Sequence, residues 1–159
     1  MAVDYYLKLD GIEGESADAN YKKQIQILSW NWGASNISSV GLNGGSGAGK
    51  VNLGDFSVTT FFDKATPRFF RSTCEGKHIP SGTMFAIKAG APGGKPYLKV
   101  DFGQMFVTAI QMNADKEIPT VSLSFSYADI TIDYGIQDAA GNVTSIGPVK
   151  YSLPENKAE

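Results

Sequence analysis

The stretch Val121-Ser122-Leu123-Ser124-Phe125-Ser126-Tyr127-Ala128-Asp129-Ile130-Thr131-Ile132-Asp133-Tyr134 decides the fold. Val121, Leu123, Phe125 and Tyr127 share one phase, and Ser122, Ser124, Ser126 and Ala128 share the other, which is the period of a half-buried β-strand. The small face points at something close or wet. Past Asp129 the apolar phase moves to Ile130, Ile132 and Tyr134, implying a β-bulge that bends the strand. Bent strands belong to closed sheets, so this stretch predicts a barrel.

The same alternation recurs elsewhere. Val3, Tyr5, Leu7 and Leu9 oppose Asp4, Tyr6, Lys8 and Asp10. A second run places Ile25 and Ile27 on one phase and Leu28, Trp30 and Trp32 on the other, so a bulge is expected near Ile27 and Leu28. Further strands are expected over 51–61, 83–88, 97–112 with an interruption near Gly103, and 148–153. One helix is expected over 66–75, with Thr66 as N-cap, Pro67 at the first helical position and Gly76 as a left-handed C-cap. Phe69 with Thr73, and Phe70 with Cys74, would give that helix an apolar side, which places Cys74 as a buried thiol. The expected fold is mainly β: a closed β-barrel of two packed antiparallel sheets, a short α-helix over about 66–75 on its outside, and a long Gly-rich extended loop over 40–50.

The chain has 159 residues, enough for one core, and 42% hydrophobic against 19% charged residues, an ordinary balance for a folded globular protein. Eighteen glycines and seven prolines lie between β-patterned runs, which favours turns between strands. The net charge of −2 argues against nucleic acid or an anionic membrane surface as a general partner. A lone Cys74 allows no intrachain disulfide. The segment from Met1 to Asp10 lacks a basic and then apolar export signal, so cytoplasmic synthesis without a signal peptide is expected, with no direct membrane insertion.

Candidate chemistry is sparse. Gly44 to Lys50 nearly spells a phosphate-binding P-loop, but Val51 stands where a Ser or Thr must ligate magnesium, and a β-rich run follows where a helix is required. His78 is the only histidine, which excludes metal sites built on two imidazoles, and no nucleophile elbow accompanies it. Glu13 and Glu15 read as a solvated acidic turn. The acids from Asp10 to Asp18 lack the ligand pattern of a calcium loop. Trp30 and Trp32 could form a stacking platform, although two aromatics at i and i+2 on a strand more often face a core. Ser29 and Asn31 would then point to the opposite face. No catalytic, cofactor or metal residues are assigned, and the expectation is a protein that is not an enzyme.

Several local readings coincide, in order and spacing, with a known family. Met1-Ala2-Val3-Asp4, Gly14-Glu15-Ser16, Leu28-Ser29-Trp30-Asn31-Trp32-Gly33, Gly47-Ala48-Gly49-Lys50-Val51, Asp63-Lys64-Ala65-Thr66-Pro67, Cys74-Glu75-Gly76-Lys77-His78 and Gly147-Pro148-Val149-Lys150-Tyr151 together resemble Hcp, the haemolysin-coregulated family of bacterial type VI secretion. The resemblance covers essentially the whole chain, 1–159, as a single Hcp-like tube domain with a C-terminal tail over 154–159.

The resemblance implies a structural subunit that forms homohexameric rings, stacked into an inner tube within a contractile sheath on a baseplate. A VgrG-type spike would tip the tube, and sheath contraction would expel it from the cell with small effectors in its lumen. Gly41, Leu42, Asn43, Gly44, Gly45, Ser46, Gly47, Ala48, Gly49 and Lys50 would then be an assembly arm at the subunit or ring interface. Ser29, Asn31, Ser122, Ser124 and Ser126 become candidates for lining the lumen. The family departs from this chain before the Trp pair, where Tyr21 to Gln26 replaces a run that often holds His and an acid. It departs again at Leu153-Pro154, which should end the last strand early. The competing readings are a phage tail-tube-like protein and a monomeric small-ligand or carbohydrate-binding β-barrel.

Overall fold

The computed structural model describes residues 2–38, 48–155 and 157–158. Six strands form the barrel: β1 (Val3–Leu9), β2 (Ile25–Asn31), β5 (Phe56–Phe61), β6 (Ile79–Lys88), β7 (Leu98–Asn113) and β8 (Thr120–Ser126). Their order is β7-β6-β1-β2-β5-β8, and β8 pairs back onto β7 to close the ring. Every pairing is antiparallel.

Between β2 and β5, β3 (Ala34–Ser38) and β4 (Ala48–Leu53) pair, among the described residues, only with each other and make a separate two-stranded hairpin. The expected strand over 51–61 is therefore two strands, split at Gly54 and Asp55. Ala48, Gly49 and Lys50, expected in the loop, belong to β4; Gly41, Leu42, Asn43, Gly44, Gly45, Ser46 and Gly47 lie outside the described residues.

The expected bulge near Leu28 is present, since the β2–β5 register shifts between Ile27 and Ser29. The second expected bulge is a full break. β8 ends at Ser126 and β9 (Asp129–Gln137) begins after Tyr127 and Ala128, so the chain stays beside β7 but leaves the barrel. β7 runs without interruption for 16 residues, past Gly103, and bends there. Gln104 takes φ of 51°, and Phe102 and Met105, three apart, both face the core. Outside the barrel, β9 also pairs with β10 (Val143–Ser145) and with β11 (Val149–Ser152), to which β12 (Lys157–Ala158) adds a short edge.

The core is built from the alternation the sequence shows. Leu7, Ile25, Met84, Val121 and Phe125 are fully buried, and Phe56, Val58, Phe102 and Leu123 pack with them. The helix α1 (Thr66–Glu75) leaves β5 at the end opposite the hairpin and inserts Phe69 into this core, 6.0 Å from Phe125 in an edge-on contact. Its buried side is Thr66, Phe69 and Ser72, so Phe70 is 54% exposed and Cys74 is exposed, contrary to the sequence expectation. The apolar pairs at spacing four straddle two sides of the helix, and only the i, i+3, i+6 row faces the barrel. Ala65 rather than Thr66 occupies the N-cap; the Thr66 hydroxyl accepts instead from the Asp63 N–H at 3.1 Å. Gly76 is the left-handed C-cap with φ of 63°. On the outside of β1 and β6, the segment after β1 lays Tyr21 flat on Tyr6 at 4.8 Å, which explains why Tyr6 is buried on a face that alternation marks as outer.

Candidate functional site

Strand register brings the candidate lumen residues onto one surface. Across four strands, Asn31 pairs with Ser57, Ser57 with Ser124, and Ser124 with Ala109. One step along, Ser29 pairs with Thr59, Thr59 with Ser122, and Ser122 with Gln111. Paired residues in a sheet share a face. The intervening row, Trp30, Val58, Leu123 and Ile110, points into the barrel or packs against its core. Ser29, Asn31, Ser122, Ser124 and Ser126 therefore lie together on the outer face of β2, β5, β8 and the second half of β7.

This face carries no charge in its two central rows. The Ser57 and Ser124 hydroxyls lie 3.2 Å apart and bond to each other, so part of its hydrogen-bonding capacity is satisfied internally. At its margin the Thr108 hydroxyl donates to Asp55 at 2.8 Å, and Ser126 pairs with Phe106, whose ring lies 4.9 Å from that of His78. The opposite outer face differs. Its row Lys8, Thr83, Asp101, Thr131, Lys150 runs through β1, β6, β7, β9 and β11, and Asp101 accepts from the Thr83 hydroxyl at 2.6 Å and pairs with Lys99 at 3.8 Å.

Four residues of the uncharged face were not singled out in the sequence. Ser57 and Thr59 were readable, because Phe56 and Val58 alternate with them. Ala109 and Gln111 were concealed by the register shift between Val107 and Ala109, which reverses the inward phase at Thr108. The other sequence candidates lie apart: Glu13 is exposed and pairs with Lys64 at 3.8 Å, while Trp30 and Trp32 are partly buried against the core.

The Hcp model of type VI secretion system effectors matches residues 6–134, more than half of the chain. The chain belongs to the Hcp family. It is 35% identical over 153 residues to protein hcp1 of Pseudomonas aeruginosa, covering 95% of this chain and 94% of that protein. Its structure superposes on a type six secretion system protein with a TM-score of 0.91 at 28% identity, covering 99% of this chain and 100% of the other. Hcp1 from Salmonella typhimurium gives 0.81 at 27% identity, with both chains covered completely. Hcp proteins are structural tube proteins of type VI secretion and not a known enzyme family. The match to the Hcp model takes in the helix, the hairpin and the whole uncharged face, and stops before β10, β11 and β12.

Proposed function

We propose that this chain is the subunit of a type VI secretion inner tube: six copies form a ring, rings stack, and the tube is expelled by sheath contraction with small effectors inside. The chain would act as one tube domain over 1–159, made in the cytoplasm and delivered through the secretion apparatus. Its partners would be further copies of itself, a VgrG-type spike, sheath and baseplate proteins, and the cargo.

The observation that carries this reading, beside family membership, is the uncharged face of Ser29, Asn31, Ser57, Ser122 and Ser124. A wall of small hydroxyl and amide groups can pass many cargoes, because it offers no fixed charge to repel or trap them. The hairpin of β3 and β4, together with the assembly arm expected over Gly41 to Lys50, would reach a neighbouring subunit or ring; the hairpin leaves the barrel at the end opposite α1 and, among the described residues, pairs with no other strand.

Asn31→Trp tests the lumenal assignment. Rings of unchanged size that retain less co-expressed effector support it. Loss of the rings would instead put Asn31 at a subunit contact.

A further inference from the structure

Basic residues concentrate at the α1 end of the barrel. The chain has only two arginines, Arg68 and Arg71, and both stand on α1. Beside them a cleft of about 610 Å³ opens between the helix, the turn after β1 and the turn before β2; Lys8, Lys22, Lys23, Gln24 and Arg68 line it. A second cleft of about 390 Å³ continues from it through Gly11, Ile12 and Arg68 to Arg71 and Lys77.

The local charge is not neutralised. Of the two carboxylates on the first cleft, Glu13 pairs with Lys64 at 3.8 Å, and Arg71 is occupied by Glu75 at 3.0 Å. Lys8, Lys22, Lys23 and Arg68 form no ion pair among the described residues, which leaves Asp10 as the single opposing carboxylate not so engaged. Among the described residues Arg68 makes only a long contact of 3.4 Å from its guanidinium to the Gly11 carbonyl. A chain of net charge −2 thus presents a local excess of cations in a concave site.

Gln24, one of the residues lining the cleft, has a buried side-chain Oε1 with no hydrogen-bond partner among the described residues. A buried acceptor without a donor is destabilising. A phosphate group carries no N–H to satisfy it, whereas a polypeptide does, and the broad terminal torsion of Gln lets the amide turn toward an incoming backbone.

From these observations we infer that the cleft between α1 and the turns flanking β1 and β2 docks an acidic polypeptide segment of a partner protein. Carboxylates of the segment pair with Lys22, Lys23 and Arg68, and a backbone N–H donates to Gln24. Because the cations are exposed, the contact is salt-sensitive.

The test uses the full chain and a fluorescein-labelled peptide of ten glutamates, followed by anisotropy at low and high salt. Lys22→Glu with Arg68→Glu should weaken binding by at least about tenfold. Lys95→Glu with Lys150→Glu, the same charge change at exposed residues that line neither cleft, should change it by less than about twofold. Arg68→Gln, which introduces no acid, should give an intermediate loss and covers the case in which the double variant does not fold. Equal losses from cleft and control variants, or no binding tighter than about 1 mM at low salt, would overturn the proposal. Tighter binding of a ten-nucleotide thymidylate strand at the same cleft would also overturn it, in favour of a nucleic-acid ligand.

Discussion

The Tyr127 hydroxyl donates to the Gly54 carbonyl oxygen at 2.8 Å, joining the break between β8 and β9 to the return leg of the hairpin. The same hydroxyl accepts from Trp32 Nε1, on the outgoing leg, and the Gly54 N–H closes the hairpin base on the Gly33 carbonyl at 2.8 Å. One side chain thus fixes both legs of the arm to the point where the chain leaves the barrel. Tyr127→Phe keeps the ring and removes both bonds, leaving the Gly54 carbonyl and the Trp32 N–H without this partner. The expected destabilisation is about 1–3 kcal/mol in chemical denaturation, with faster amide exchange at Gly54 than in the β1 and β6 pair.

Alkaline pH should act through the same residue. Burial is the main cause that raises the Tyr127 phenol above its ordinary value, and burial raises Tyr6 and Tyr21 as well. Above pH about 10 the unfolded chain ionises these phenols before the folded chain does. The unfolded state then binds fewer protons, so stability is intact below that pH and falls as pH rises through the folded values. Denaturation midpoints measured from pH about 8 to 11 should decline over the upper part of the range. The decline should be shallower in Tyr127→Phe and in Tyr21→Phe.

Gly103 sits where β7 bends. A Cβ there would collide with both carboxylate oxygens of Asp129, its register partner on β9. Gly103→Ala therefore forces the Asp129 carboxylate to turn aside, and the expected cost is that of an off-rotamer side chain, about 0.5–1.5 kcal/mol. Asp129→Ala in the same background should recover part of that loss, because it removes the colliding atoms. Additive losses would place the strain elsewhere.

Helix α1 offers a contrast between two aromatic neighbours. Phe69 is 1% exposed and Phe70 is 54% exposed. Phe69→Ala should cost about 3–5 kcal/mol, whereas Phe70→Ala should stay within about 0.5 kcal/mol for the isolated subunit. Urea denaturation of both variants gives the comparison directly. An exposed Cys74 should also react with a thiol reagent in the folded subunit without denaturant.

Most of the barrel was legible because its strands alternate cleanly. Val121 to Tyr127 and Val3 to Leu9 show which side faces in, and the phase change at Leu28 marks a real bulge. Tertiary pairing was less legible. The phase change after Tyr127 looks locally like another bulge, yet here the strand breaks and changes neighbours, because β5 flanks its first half and β11 its second. The hairpin was hidden for a different reason: Ala48 and Gly49 have little β-propensity, and their strand exists because it pairs with β3. On the candidate face, the serines of β8 announced themselves, while Gln111 did not, because a single extra residue at Thr108 reverses the apparent side of the strand.

On the proposed reading this chain assembles as a six-membered ring whose wall includes Ser29, Asn31, Ser122, Ser124 and Ser126. Native mass spectrometry of the full chain at micromolar concentration tests the ring directly. A dominant species of six copies of the 17.0 kDa subunit is expected. A strict monomer across that concentration range would contradict it.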